Sequence, residues 1–276
     1  MLASQLELLS LVFDGNIRTL QRIAAKMQRV LVVDPNTPAV RLLSDQLRHV
    51  GNVQIFHAAT IEAGWSMART VDPMLIFVEH ASAGCDGLTL ARKIRRSDLA
   101  CREMPIIMCT AEATAEAIFG ARDAGIHEFM RKPFTIKDLE RRLEAVTLKP
   151  RDWVEAVQYV GPDRRRFNSA EYKGPRKRKA DAGGTPAARL SQALRIVKSA
   201  AQALDTDPNQ ARRALAAQAV ELKKVGEAVK DDRLVQAALA LEACTTGGMA
   251  RNELLKRIDG LMGFMAEGDN GGRGAA

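Results

Sequence analysis

Apolar residues recur at three- and four-residue steps through the start of the chain: Leu6, Leu9, Phe13, Ile17, Leu20, Ile23 and Met27. That spacing predicts a helix over residues 1–28, with Asp14-Gly15-Asn16 as a point where it can break. The period then changes. Val30-Leu31-Val32-Val33 is a short continuous apolar run, the pattern of a strand buried on both faces of a parallel sheet. It ends at Asp34-Pro35-Asn36, and a helical pattern follows through Val40, Leu43 and Leu47. The cycle repeats four more times. Strands are predicted at Val53 to His57, Met74 to Val78, Ile106 to Met108 and His127 to Met130. Between and after them, helices are predicted at Ile61 to Arg69, Leu88 to Ile94, Ala113 to Ala124 and Ile136 to Val146.

Five strands alternating with five helices imply an α/β fold with a doubly wound, five-stranded parallel sheet. Working residues in such sheets gather at the carboxyl ends of the strands. Those ends hold Asp34, Glu79 and Thr110, with Lys132 just past the fifth strand.

The strand signal stops after Lys149-Pro150. From Pro186 onward the chain is rich in Ala and Leu and carries four helical stripes. The first is Leu190, Leu194, Val197, Ala201 and Leu204, and the second is Leu215, Leu222, Val225 and Val229. Leu234, Ala238 and Leu241 make the third, and Leu254, Ile258, Leu261 and Met265 the fourth. They predict an all-α C-terminal domain, a small bundle over 186–266, with a Gly-rich disordered tail at 267–276. The expected division is therefore a helical extension at 1–28, an α/β domain at 29–148, a linker at 149–185, the bundle and the tail.

Charge sharpens this division. The 276 residues carry 41 Lys and Arg against 33 Asp and Glu, a net +8. The stretch from Val160 to Lys179 holds eight basic residues against Asp163 and Glu171, so +6 sits in twenty residues. Like charges this dense repel and offer little apolar surface, so the stretch reads as a linker. It also contains a repeat. Tyr159-Val160-Gly161-Pro162-Asp163-Arg164-Arg165-Arg166 returns as Tyr172-Lys173-Gly174-Pro175-Arg176-Lys177-Arg178-Lys179. The chain's two tyrosines both open a copy. Gly-Pro gives a turn, the basic triplet suits phosphates, and a tyrosine ring offers a stacking face. A nucleic acid or a nucleotide such as a cyclic dinucleotide is one candidate ligand. The competing reading is a solvated basic linker that docks on an acidic partner.

No apolar run approaches the ~18 residues of a membrane span. The N-terminus has no Lys or Arg before Arg18, so it lacks the basic start of a secretory signal. Cys85, Cys101, Cys109 and Cys244 show no metal or redox spacing, and read as reduced thiols of a cytoplasmic protein. His49, His57 and His127 are scattered, so no zinc site is expected, and His80 reads as a surface group. Asp86 reads as a helix N-cap, and Asp123 and Asp138 as solvated helix residues.

Leu31-Val32-Val33-Asp34, Gly84-Cys85-Asp86-Gly87, Thr110-Ala111-Glu112 and Lys132-Pro133-Phe134 stand in the order and at the spacing of a known family. Residues 29–146, about 43% of the chain, resemble the receiver domain of two-component response regulators. The resemblance implies a pocket in which an Asp at the end of the third strand accepts a phosphoryl group from a histidine kinase. An acidic pair after the first strand helps to hold Mg²⁺. Lysine and metal neutralise the phosphoryl charge, and the threonine hydroxyl moves to bond it. On this sequence the pocket is Asp34, Glu79, Thr110 and Lys132, with Thr110 and Phe129 as the switch pair.

Two parts depart from the family's pattern. The phosphoacceptor position is Glu79, and the second acid of the pair is Pro35. A Glu carboxylate sits about 1.5 Å further out than an Asp carboxylate. A misplacement of ~1 Å can cost about 100-fold in a positioned reaction. Asp34 and Glu79 would form a weak Mg²⁺ site only, so no cofactor is expected. The expectation is a degenerate receiver, or pseudo-receiver, that is not phosphorylated and is not an enzyme. It would act through protein–protein contacts with a histidine kinase or downstream regulator, with homodimerisation open. Glu79 would place a fixed negative charge beside Lys132; a bare structural ion pair, or a working receiver that uses Glu79 or Asp34, are the alternatives. The C-terminal helices contain no histidine, so they are not expected to form a histidine phosphotransfer domain.

Overall fold

The computed structural model describes residues 17–82, 85–164, 185–246 and 251–270. The chain divides into two units, one of residues 1–154 and 160–171, the other of residues 155–159 and 172–276.

In the first unit, helix α1 (residues 17–25) leads into β1 (Arg29–Val33) and α2 (Thr37–Val50). There follow β2 (Gln54–Ala58), α3 (Ile61–Val71), β3 (Leu75–Val78) and a small hairpin, β4 (His80–Ser82) with β5 (Cys85–Asp86). Then come α4 (Gly87–Arg95), a 3-10 turn (Ala100–Glu103), β6 (Ile106–Thr110), α5 (Ala115–Asp123), β7 (Glu128–Arg131) and α6 (Ile136–Thr147). A ribbon, β8 (Trp153–Glu155) with β9 (Val160–Pro162), ends the series.

The sheet is parallel throughout, in the order β2-β1-β3-β6-β7. Alternate residues of each strand face opposite ways, so the run Val30 to Val33 feeds two cores. Leu31, Val33, Ile76, Val78, Ile106 and Met108 pack with residues of α3, α4 and α5. Val30, Val32, Leu75, Phe77, Ile107 and Met130 pack with residues of α1, α2 and α6. This is the doubly wound sheet the sequence pattern predicts. Helix starts are fixed locally: Asn36, Thr60, Asp86, Thr114 and Thr135 each accept a backbone N–H of the helix they precede. Asp86 is thus the N-cap expected, and Asp138, solvated as expected, also closes a capping box with Thr135.

Three expectations are corrected. The extension does not stand apart at residue 28, because Ile23 and Met27 are buried in the core shared with α2 and α6. Residues 1–16, the rest of the expected helix, lie outside the described residues. The segment 149–185 is not wholly a linker, since it begins with the β8–β9 ribbon. Gly125 makes room for β9. Its φ is +77°, and a Cβ there would lie 2.5 Å from the Val160 carbonyl oxygen. The last helix runs on to Asn270, past the expected end at 266, and residues 271–276 lie outside the described residues.

The second unit is built of α7 (Pro186–Gln202), α8 (Pro208–Val229), α9 (Asp232–Thr246) and α10 (Arg251–Asn270). Its core joins Leu194, Val197, Leu215, Leu222, Leu234, Leu241, Leu254, Ile258 and Leu261, members of all four stripes. Residues 155–159 belong to it. Val157 packs on that core, and Gln210 Nε2 donates to Glu155 Oε1 at 2.7 Å. No described helix is long and apolar enough to cross a membrane.

Candidate functional site

The carboxyl ends of β1, β3 and β6 and the residue after β7 bring Asp34, Glu79, Thr110 and Lys132 together. Main-chain bonds fix the frame. Glu79 N donates to Val33 O at 2.8 Å and Lys132 N to Thr110 O at 2.8 Å. Gly87 lets α4 approach, because a Cβ there would lie 2.3 Å from the Glu79 carbonyl oxygen.

Lys132 is the centre of the charge. Its Nζ donates to Asp34 Oδ2 at 2.6 Å and to Glu79 Oε2. The side chains of Asp34 and Glu79 are only 8% and 5% exposed, and that of Lys132 is 19% exposed. Burial works against the ammonium charge, but the hydrogen bonds to Asp34 and Glu79 outweigh it and hold the Lys132 pKa above its ordinary value. Each carboxylate has a second anchor: Asp34 Oδ1 accepts from Asn36 N and Glu79 Oε1 from His80 N, both at 2.7 Å. All four carboxylate oxygens therefore accept a hydrogen bond. Among the described residues, no group of three or more His, Cys, Asp or Glu side chains is arranged to hold a metal ion. Asp34 and Glu79 each turn one oxygen to the Lys132 ammonium.

Thr110 is buried, and its hydroxyl donates to the His80 carbonyl at 2.6 Å. The His80 residue thus meets Glu79 at its N–H and Thr110 at its C=O. Its ring lies against Asp86, with Nδ1 3.3 Å from Asp86 Oδ1. Burial resists ionisation of Asp86, but Thr89, His80 and the Leu88 amide hold its pKa below the usual value. His57 Nε2 lies 2.9 Å from the Asp34 carbonyl oxygen. His80 serves the pocket through its own main-chain N–H and C=O, and His57 through its ring against a main-chain carbonyl, roles that leave no mark in a sequence. Phe129 is buried in the core shared with α3, α4 and α5. Cys85 is buried beside the pocket. Burial, then the charges of Asp34 and Glu79, pushes its thiol up to about 11, so it stays protonated.

The basic repeat fares differently. Tyr159 is buried, and Val160, Gly161 and Pro162 are buried with it. The first ring is therefore not an open stacking face, because the ribbon uses this stretch as packing surface. The two copies are unequal: Val160 is buried where the second copy has Lys173, whose ammonium would lose its water in that seat. Arg164 pairs with Asp123 at 3.0 Å, and Arg122 bonds the same oxygen, so Asp123 is a solvated helix residue that also carries two ion pairs. Arg165, Arg166, Tyr172, Arg176, Lys177, Arg178 and Lys179 lie outside the described residues.

Comparison with known proteins identifies the α/β unit. Residues 30–144 match the response regulator receiver domain model. Chemotaxis protein CheY1 of Helicobacter pylori is 30% identical over 119 residues, 43% of this chain and 95% of that protein. Chemotaxis protein CheY-3 of Vibrio cholerae is 28% identical over 127 residues, 46% of this chain and 97% of that protein. Among solved structures, a response regulator from Chloroflexus aurantiacus matches at 24% identity and a TM-score of 0.41. The match covers 44% of this chain and 98% of that one.

Proposed function

The chain belongs to the response regulator receiver family, and we propose that it is a pseudo-receiver, held in one signalling state by Glu79 instead of being switched by phosphorylation. The observation that carries this reading is the Lys132 ammonium held between Asp34 and Glu79. In the family the lysine and a metal ion neutralise an incoming phosphoryl group. Here Lys132 is already neutralised from two sides. Glu79 presents its charge to Lys132 and to the His80 amide, and Thr110 is committed to the next carbonyl along. A phosphoryl group at this point would meet two buried carboxylates before it met an unengaged cation, and like charges this close raise the barrier to transfer.

The same arrangement disfavours Mg²⁺. Pro35 removes one acid, and the ammonium occupies the inner oxygens of the remaining two. A hard divalent cation needs several free oxygen ligands. The chain then acts without catalysis, as a protein-interaction module of a two-component pathway in the cytoplasm, with a histidine kinase or downstream regulator as partner. The nucleotide reading of the basic segment is the weaker one, because the first copy spends its tyrosine on packing and Arg164 on Asp123.

Incubation with a small acyl phosphate and Mg²⁺ tests the proposal. The expected result is an unmodified chain; a hydroxylamine-labile phosphoryl adduct on Glu79 or Asp34 would overturn it.

A further inference from the structure

Strand β7 is gripped by charge at both ends. At its carboxyl end Lys132 is held by Asp34 and Glu79. Beyond its amino end the His127 carbonyl accepts from Arg151 Nη2. The His127 ring accepts through Nδ1 from Arg95 Nη2 at 3.1 Å and from Ile106 N at 3.3 Å. Arg95 is 1% exposed, and it also binds the carbonyls of Gly125, Arg102 and Met104. Its guanidinium, and that of Arg102, stack on Trp153 of the ribbon, 5.3 and 5.8 Å from the ring centre. Arg151 reaches the Asp163 carbonyl as well, and Val160 presses on Gly125. The ribbon arms thus close over the end of β7 opposite the acidic pocket.

Among the described residues, strand β7 is also an edge strand, paired in the sheet with β6 alone. It can shift along its length by straining a single ladder, whereas β1, β3 and β6 are held on both sides. Five residue steps lead from His127 to Lys132, about 16 Å of extended chain at ~3.3 Å per residue. A β-strand transmits an axial displacement over that distance better than a loop does, because its dihedrals are already near full extension.

We propose that the ribbon arms, residues 151–154 and 160–164, are the read-out of the acidic pocket, with β7 as the rod between them. A change in what Lys132 binds shifts β7, and the shift is felt at Gly125, His127 and Trp153. The ribbon is then an output element of the receiver unit, placed at the amino ends of its strands. This role does not depend on whether Glu79 can be phosphorylated.

The test uses the full chain carrying Trp65→Phe, so that Trp153 is the sole tryptophan. The indole N–H resonance of Trp153 is recorded with Glu79→Gln, with Lys132→Met and with the exposed control Arg48→Ala, each checked for folding by circular dichroism. Both pocket variants are expected to move the Trp153 resonance and the control to leave it in place. In the reverse direction, Arg151→Ala is expected to speed amide exchange at Lys132 N, which donates to Thr110 O, by about tenfold. A Trp153 resonance unmoved by Glu79→Gln, or unchanged exchange at Lys132 in Arg151→Ala, overturns the proposal. If Lys132→Met does not fold, the isosteric Glu79→Gln and the Arg151 experiment decide it.

Discussion

Lys132 Nζ lies 2.6 Å from Asp34 Oδ2, although the two residues are 98 positions apart in the chain. The same ammonium binds Glu79, so one cation serves two buried anions. Removing one partner from a buried ion cluster is worse than removing the cluster, because it leaves uncompensated charge. Lys132→Met is therefore expected to destabilise the receiver unit by about 3–5 kcal/mol in chemical denaturation. Adding Glu79→Gln should recover a large part of that loss. A double variant no more stable than Lys132→Met would show that the triad is not coupled.

Gly125 makes a separate prediction. Its positive φ and the Val160 carbonyl both resist a side chain. Gly125→Ala is expected to cost ~1–3 kcal/mol. The ribbon should loosen first, seen as early proteolysis between residues 150 and 165 while the sheet amides stay protected. Wild-type stability in this variant would remove Gly125 from the ribbon's seat.

His127 sets an acid limit. It is buried, and burial, together with the charges of Arg95 and Arg151, holds its pKa well below the ordinary 6.5. A depressed folded-state pKa means that the folded chain favours the neutral ring. Its contribution is present above about pH 6.5 and is lost as the pH falls below that value, since the unfolded chain then binds the proton more readily. His127→Gln keeps an acceptor for Arg95 but does not titrate. It is expected to flatten the stability profile between about pH 6.5 and 5; an unchanged slope would contradict this.

The reach of the sequence follows from what each residue signals. Val30 to Val33, Leu75 to Val78 and Ile106 to Thr110 are buried on both faces, so they stand out as apolar runs, and the sheet follows from them. Asp34, Glu79, Thr110 and Lys132 were legible because strand ends and motif spacing both point to them. The hairpin β4–β5 and the ribbon β8–β9 were not, since strands of two or three residues show no alternation. One clue to the ribbon did exist: Trp153 and Tyr159 are unusual residues for a solvated linker. Arg95 gave none, standing within Arg92-Lys93-Ile94-Arg95-Arg96, where burial of one arginine depends on the turn at Gly125 and not on its neighbours in sequence.

The helical unit offers a prediction of its own. Gln210 and Gln218 are buried and donate to Glu155, its side chain and its carbonyl respectively. Glu155→Leu would take the carboxylate acceptor from the buried Gln210 amide and leave the main-chain bond from Gln218 in place. It is expected to lower the stability of this unit by about 1–3 kcal/mol in thermal unfolding; no change would mean that residues 155–159 are not part of its core.

The central claim is that Glu79 already supplies the negative charge that relatives acquire by phosphorylation. Intact-mass spectrometry of the chain isolated from growing cells under conditions that preserve acyl phosphates measures this most directly. The account predicts a single unphosphorylated mass for residues 29–148, unchanged when the kinases of the cell are active. A kinase-dependent phosphoryl group on that segment, removed by hydroxylamine, would contradict it.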